Sequence, residues 1–232
     1  MRIGIMQPYF MPYIGYFQLM KAVDKYVIYD DVNYINRGWI NRNNLLVNGT
    51  KKLFTLSLQG ASQNRLINEI VIIDDFRKLE RTIAFNYSKA PFYKEVKALL
   101  DTIFSYPERQ LALFIKNSFE QTLSYLSVHT ELLLSSHIEK DNRLRGEDKI
   151  IDICKRLDAD VYCNAIGGQT LYNKVLFAKN GIDLRFLRTS ESLCYDQHLR
   201  DGFVPNLSLI DVLMFNSPSE VNALLEQYQF IQ

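Results

Sequence analysis

Cysteine, histidine and any excess of one charge are what this sequence has least of. Its 232 residues hold three cysteines and three histidines. Cys154, Cys163 and Cys194 form an odd set whose spacing fits neither a disulfide framework nor a zinc site. His129, His137 and His198 are scattered as well, so no structural metal is expected. Lys and Arg number 27 against 26 Asp and Glu, a net charge of +1. That balance lacks the basic field of a general nucleic-acid or membrane-surface binder. No run approaches the roughly 20 apolar residues of a membrane span. The opening Met1-Arg2-Ile3-Gly4-Ile5-Met6 is ended by Gln7-Pro8, short of the roughly 7–15 apolar residues of a signal peptide core. These absences predict a soluble, cytoplasmic chain with reduced thiols.

What is present is ordinary globular material. The chain is 47% hydrophobic and 23% charged, with 10 Gly and 6 Pro, which excludes a disordered or low-complexity protein. The length predicts one domain over residues 1–232, large enough to bury a core without staples. Aromatic residues make up 12%, and Tyr9, Phe10, Tyr13, Tyr16 and Phe17 crowd into nine positions. Such a cluster serves either core packing or a pocket wall.

The pattern along the chain predicts an α/β fold with a mostly parallel sheet and flanking helices. Arg2 to Met6 reads as a buried first strand and Gly15 to Ala22 as a short helix. Lys25 to Tyr29 is β-rich, and residues 32–49 look irregular. Leu53 to Leu58 and Ile67 to Ile73 read as further strands, and Asp74-Asp75 stand where a helix cap belongs. From about 76 to 128 the period becomes helical. Leu111, Phe114, Ile115, Phe119, Leu123 and Leu126 make one stripe, and Ser105 with Glu108 offer a capping box. This block reads as a helical insertion into a core formed by residues 1–75 and 130–232. Strand and helix then alternate: strands at 132–135, 160–164 and 182–187, helices at 147–157 and 171–179. Ser217-Pro218-Ser219-Glu220 combines an N-cap Ser, an N1 Pro and an N3 Glu, so the end reads as helical.

Four segments carry candidate chemistry. The first is the strand-to-helix turn from Gln7, Pro8 and Tyr9 through Tyr13, Gly15 and Tyr16. Open α/β sheets bind ligands outside the carboxyl ends of their strands, and a helix N-terminus there attracts anions. A glycine at position 15 lets a ligand or backbone come close. The second is Asp30-Asp31 through Arg42. It surrounds the only tryptophan, Trp39, with Arg37, Asn41 and Arg42. The arginines suit bidentate bonds to phosphate or carboxylate, and either aspartate suits a cation or a sugar hydroxyl. The third is the turn Gly167-Gly168, followed by Tyr172, where backbone N–H groups could cradle a phosphate. The fourth is Arg145 with Lys149 at the start of a helix, as a pocket cation or a solvated flank. No G-x-G-x-x-G, P-loop or G-x-S-x-G motif occurs, which leaves Rossmann dinucleotide, P-loop and esterase readings without support.

Taken in order, these segments resemble the WbqC-like protein family. The residues that carry the resemblance are Gln7-Pro8-Tyr9-Phe10-Met11-Pro12-Tyr13-Ile14-Gly15-Tyr16-Phe17, Asp30-Asp31 and Arg37-Gly38-Trp39-Ile40-Asn41-Arg42-Asn43. Ser135-Ser136, Tyr162, Gly167-Gly168, Leu171-Tyr172 and Leu207-Ser208-Leu209-Ile210-Asp211-Val212-Leu213 continue it. The family implies a setting in bacterial surface-polysaccharide synthesis, O-antigen lipopolysaccharide included, and attachment of an aminoacyl group such as glycine to an amino sugar. Tyr13-Ile14-Gly15-Tyr16 is also similar to the H-x-G-H motif of HUP-type nucleotidyl-transferring folds, whose histidines bind ATP phosphates. Tyrosines carry no such charge, so Arg37, Arg42 or Lys149 would have to supply it. That fold includes pantothenate synthetase, which forms an amide through an acyl-adenylate.

The resulting expectation is an enzyme joining an acyl or aminoacyl group to the amine of a nucleotide-linked amino sugar, an acyltransferase or an ATP-dependent ligase. Asp30 or Asp31 would be its general base; the ligase reading adds ATP with Mg²⁺, and an aminoacyl carrier or a thioester is the alternative donor. The Gln7–Tyr16 and Gly167-Gly168 turns would wall the crevice. The partner is a small molecule, with no nucleic acid. Two alternatives stand beside it: a nucleotidyltransferase that activates a sugar phosphate, and a non-catalytic nucleotide-sugar-binding module.

Overall fold

Arg2–Met6 (β1) is apolar on both sides, with Ile3, Gly4 and Ile5 buried. A strand with no polar face belongs in the middle of a sheet covered on both sides. The computed structural model, which describes residues 1–199 and 202–231, places it so. Lys25–Ile28 (β2), Glu131–Leu134 (β7), Val161–Ala165 (β8) and Asp183–Thr189 (β9) run parallel to it. Tyr228–Ile231 (β10) closes one edge antiparallel to β9. The spatial order is β10-β9-β8-β1-β2-β7. Successive parallel strands therefore build outward from β1 on one side and then return to its other side through β8. That reversal is the switch point at which open α/β sheets bind ligands.

Side-chain alternation divides the strands between two cores. Ile3, Ile5, Val27, Tyr162, Leu184 and Phe186 face one side, where Gly146–Arg156 (α5) and Lys174–Lys179 (α6) bring Ile150, Ile153 and Phe177. Tyr26, Ile28, Cys163 and Leu187 face the other, covered by Ile14–Lys21 (α1) and Pro218–Leu225 (α8). Gly4 has the small profile this packing requires, since a Cβ there would lie 3.1 Å from the Tyr26 ring. The Ser217–Glu220 capping box is formed: the Ser217 hydroxyl accepts the Glu220 N–H and the Glu220 carboxylate accepts the Ser217 N–H.

Between β2 and β7 the chain makes a long excursion. It begins with the hairpin Arg42–Val47 (β3) and Thr50–Thr55 (β4). The short pair Leu58–Gln59 (β5) and Val71–Ile72 (β6) follows. The helices Arg77–Tyr87 (α2), Tyr93–Phe104 (α3) and Leu111–Tyr125 (α4) end it. Phe10 from the β1–α1 turn packs on Phe104 and Phe114, and Phe17 from α1 packs on Phe119. Leu209–Phe215 (α7) joins the same apolar cluster.

Several local expectations are corrected. Residues 32–49 are not all irregular, because β3 occupies Arg42–Val47. Its turn is Asn48-Gly49 with φ of 50° and 75°, the positive pair a two-residue hairpin needs. The strand expected over 53–58 ends at Thr55, and a 3₁₀ turn at Ile67–Glu69 precedes β6. Helix α4 is capped by the Gln110 side chain, which accepts the Leu113 N–H at 2.7 Å. Glu108 instead takes the N–H groups of Arg109 and Gln110, and Ser105 bonds to the Thr102 carbonyl. Phe76 is the α2 cap residue, with Asp74 and Asp75 accepting the N–H groups of Phe76 and Arg77. Helix α6 starts only at Lys174, after a 3₁₀ turn at Ile166–Leu171 and the cap Asn173. The segment after α8, expected as helical, instead forms the strand β10.

Candidate active site

The carboxyl ends of β2 and β7 meet the amino end of α5 around a cavity of about 780 Å³. That volume suits a small-molecule ligand. Tyr29 and Asp31 enter it from β2, Ser136 from the end of β7, and Leu171 and Tyr172 from the segment after β8. Helix α5 contributes Arg145, Gly146, Glu147 and Lys149. Arg145 is the cap residue of α5 but caps it with no side-chain bond; its guanidinium donates to the Asn142 and Leu144 carbonyls. The cavity therefore combines two cations, a helix amino end and two phenols. Burial raises the Tyr29 pKa, and the Asp31 charge raises it further. Burial also raises Tyr172. Both phenols are neutral donors at physiological pH.

Asp31 is tied down from two directions. Its Oδ2 lies 2.8 Å from Lys140 Nζ and 3.0 Å from Lys149 Nζ. Lys149 also donates to the Asp31 carbonyl at 3.0 Å, and its Nζ sits 5.1 Å from the Tyr29 ring centre. Burial would raise the Asp31 carboxyl, but the ammonium groups of Lys140 and Lys149 outweigh it and hold its pKa below the usual value. Lys140 further donates to the Ser135 carbonyl. Asp30 points away from Asp31 and is buried. It accepts the Ser136 N–H at 2.9 Å, the Ser136 hydroxyl at 2.7 Å and the Asn68 amide at 3.4 Å. Those bonds splice the end of β2 to the end of β7 and leave Asp30 little freedom for proton transfer.

The turn after β1 follows the neighbouring strand, with Tyr29 N–H bonded to the Met6 carbonyl, but contrary to expectation neither residues 7–16 nor Gly167-Gly168 line this cavity. Tyr16 is buried and donates its hydroxyl to the Gln7 carbonyl at 2.7 Å. Pro8 is buried and Tyr13 half-buried. At Gly15 the space a side chain would need is already filled, since a Cβ would lie 2.6 Å from Thr189 Oγ1 and meet the Tyr13 ring. Gly15 serves close packing of α1 on β9 there. Tyr9, Trp39 and Arg42 form an open platform: the Tyr9 and Trp39 ring centres are 6.1 Å apart, and the Arg42 guanidinium lies 5.6 Å from the indole. Trp39 is 50% exposed. Asn41 is buried, accepting the Tyr34 hydroxyl and donating to the Leu56 carbonyl. Arg37 is exposed at φ 59°, one residue before Gly38, whose carbonyl accepts the Arg42 Nε–H.

At the switch point β8 lies directly beside β1. Tyr162 donates toward the Ile5 carbonyl and meets the Tyr172 hydroxyl, each at 3.3 Å, and receives the Asn164 amide at 2.9 Å. Gly168 is buried, and a Cβ there would lie 2.9 Å from the same amide. Gly167 faces open space. The expected site residues thus separate into groups. Asp31, Lys149 and Tyr172 share the cavity. Tyr9, Trp39 and Arg42 share the platform. Pro8, Gly15, Tyr16, Asp30, Asn41 and Gly168 are packed against protein. Tyr29 and Glu147 line the cavity, Lys140 is buried against Asp31 outside its lining, and none of the three was singled out from sequence. Lys140 sits in the polar run Glu139-Lys140-Asp141-Asn142-Arg143, which resembles any solvated loop.

Among the described residues no three His, Cys, Asp or Glu side chains are grouped to hold a metal ion. Cys154 and Cys163 are buried free thiols, each pushed by burial up to about 12. Among the described residues no helix is long and apolar enough to cross a membrane.

A mycobacterial relative is similar to this chain over nearly its whole length. The uncharacterized protein Rv1507c of Mycobacterium tuberculosis (strain ATCC 25618 / H37Rv) is 28% identical over 226 residues, which cover 94% of this chain and 95% of that protein. No solved structure matches the chain. The model of the WbqC-like protein family matches residues 7–223, which takes in the β1–α1 turn, the Asp31 cavity and the Trp39 platform, and the chain belongs to that family.

Proposed function

We propose that the protein is a group-transfer enzyme of surface-glycan assembly, which binds a nucleotide-linked amino sugar in the cavity and joins an acyl or aminoacyl group to its amine. The observation that carries this reading is the 780 Å³ cavity at the carboxyl edge of the sheet, with Arg145 and Lys149 at the amino end of α5. Cations and a helix amino end are the means by which proteins hold a diphosphate. Tyr29 and Tyr172, as neutral phenols, suit sugar hydroxyls. Asp31 orients Lys149 and is a weak base while two lysines hold its charge. Glu147 is the other carboxylate of the cavity. One of its oxygens accepts the Asn173 N–H at 2.9 Å, and in this reading Glu147 takes the proton as the amine attacks the acyl carbon. The bond formed is the amide C–N, and the bond broken is that between the acyl carbon and the donor's leaving group.

The amino end of α1 fits an ATP triphosphate poorly. Tyr16 is buried and its hydroxyl is committed to Gln7, so the two-histidine phosphate clamp has no equivalent there. The exposed platform of Tyr9, Trp39 and Arg42 suits stacking of a base or sugar ring.

Titration calorimetry with UDP- and dTDP-linked amino sugars tests the reading. Binding is expected in the wild type. Arg145→Gln, which removes an exposed charged donor, is expected to weaken it about tenfold or more. Amide product is expected only when an acyl donor is added, and Glu147→Gln is expected to abolish turnover with binding intact. Absence of nucleotide-sugar binding by the wild type would overturn the proposal.

A further inference from the structure

A second groove, of about 600 Å³, lies between the β3–β4 hairpin and α2, remote in sequence from the cavity residues of α5. Its walls are apolar: Leu45, Leu56 and Leu79 are buried, and Phe54 is partly so. Two large apolar side chains stand open at its mouth. Phe85 is 81% exposed and Leu53 46%. On α2 the neighbouring apolar residues Leu79, Ile83 and Tyr87 are buried, so Phe85 is turned outward from an otherwise well-sorted helix.

The charge around this mouth is one-sided. Lys52, Lys78 and Arg81 line it, and none has a carboxylate partner among the described residues. The single acid of the lining, Asp74, is already engaged with the N–H groups of Ser57 and Phe76. The chain carries a net charge of only +1, so this cationic face is local.

We propose that this face docks on an anionic lipid bilayer. Phe85 and Leu53 enter the boundary between headgroups and acyl chains, and Lys52, Lys78 and Arg81 pair with lipid phosphates. Exposed apolar side chains ringed by long basic ones are the composition of an interfacial binding surface. An acidic peptide added as a strand is the rival occupant. Two successive lysines, Lys51 and Lys52, on the two-stranded hairpin discourage strand addition. The proposal stands independently of the reading of the cavity.

Flotation of the full chain with phosphatidylcholine vesicles, with and without phosphatidylglycerol, tests it. Binding is expected only to the phosphatidylglycerol vesicles and should fall as salt is raised. Each of Lys52→Gln, Lys78→Gln and Arg81→Gln is expected to weaken partition about fivefold. Phe85→Ala is expected to weaken it further with an unchanged circular dichroism spectrum, since the side chain is exposed. No binding to anionic vesicles would overturn the proposal, as would wild-type binding by a variant combining Lys52→Gln, Lys78→Gln and Arg81→Gln or by Phe85→Ala. An acidic amphipathic peptide that occupied the groove while vesicles were ignored would replace the bilayer with a peptide partner.

Discussion

At Asp31 one carboxylate answers two lysines that are almost wholly out of water, Lys140 at 1% and Lys149 at 5% side-chain exposure. Removing one member of a buried charged set leaves the others unpaired, which costs about 3–5 kcal/mol. Asp31→Asn is therefore expected to lower stability by that amount in urea titrations at neutral pH. The pH dependence has a definite sign. The folded pKa lies below the usual 3.8, so the ion pairs stabilise fully above the unfolded value and that stability is lost as pH falls through the lower folded value. Wild-type stability should therefore decline below about pH 4, and the Asn variant should lack this part of the decline. Equal acid slopes in the two proteins would show that Asp31 is not held as an ion.

The β1–α1 turn shows how one glycine sets the spacing between two elements. Thr189 Oγ1 bonds Gln18 Oε1 at 2.7 Å, and Gln18 in turn donates to the Leu224 and Gln227 carbonyls around the end of α8. The hydroxyl therefore cannot move aside without breaking a chain of buried bonds. Gly15→Ala is expected to destabilise by about 1–3 kcal/mol through overpacking. A melting temperature lower by about 2–4 °C per kcal/mol would be its signature. An unchanged melting temperature would mean that the helix shifts freely on β9.

Across the whole molecule, Asp211 ties parts of the chain that are far apart in sequence. Its carboxylate accepts Tyr87 from α2 at 2.8 Å, Tyr195 at 2.6 Å and Gln197 at 2.7 Å. Burial raises its pKa, with the bonds from Tyr195, Gln197 and Tyr87 opposing the rise. Asp211→Ala would take the acceptor from the buried Tyr87, from the half-buried Tyr195 and from one N–H of Gln197, and should cost about 3 kcal/mol or more. The excursion between β2 and β7 also shares one apolar cluster with the sheet. A single cooperative transition is therefore expected. Fluorescence of Trp39, which reports on the excursion, should change together with far-ultraviolet circular dichroism, which reports on all helices and strands. Separated midpoints would show that the excursion unfolds by itself.

Much of this architecture is legible in local patterns. The apolar runs of β1, β2, β8 and β9, the amphipathic stripe of α4 and the Ser217–Glu220 cap depend on neighbours a few residues away, and these alone determine an alternating α/β chain with a candidate ligand edge. The Asn48-Gly49 turn was equally local, yet the polar Arg42-Asn43-Asn44 that precedes it obscured a strand whose buried Asn43 bonds the Met11 carbonyl. The edge strand β10 was obscured because its pairing with β9 is what defines it. Tertiary structure alone decided which candidates share a site. Asp31 and Lys149 are 118 residues apart, and neither their ion pair nor the capture of Lys140 has a local signature. The same holds for Tyr16 and Gly15, since only the packed neighbour determines whether a hydroxyl faces a ligand or a carbonyl. Local free energies select helix or strand, whereas burial and charge pairing across the sheet select the site.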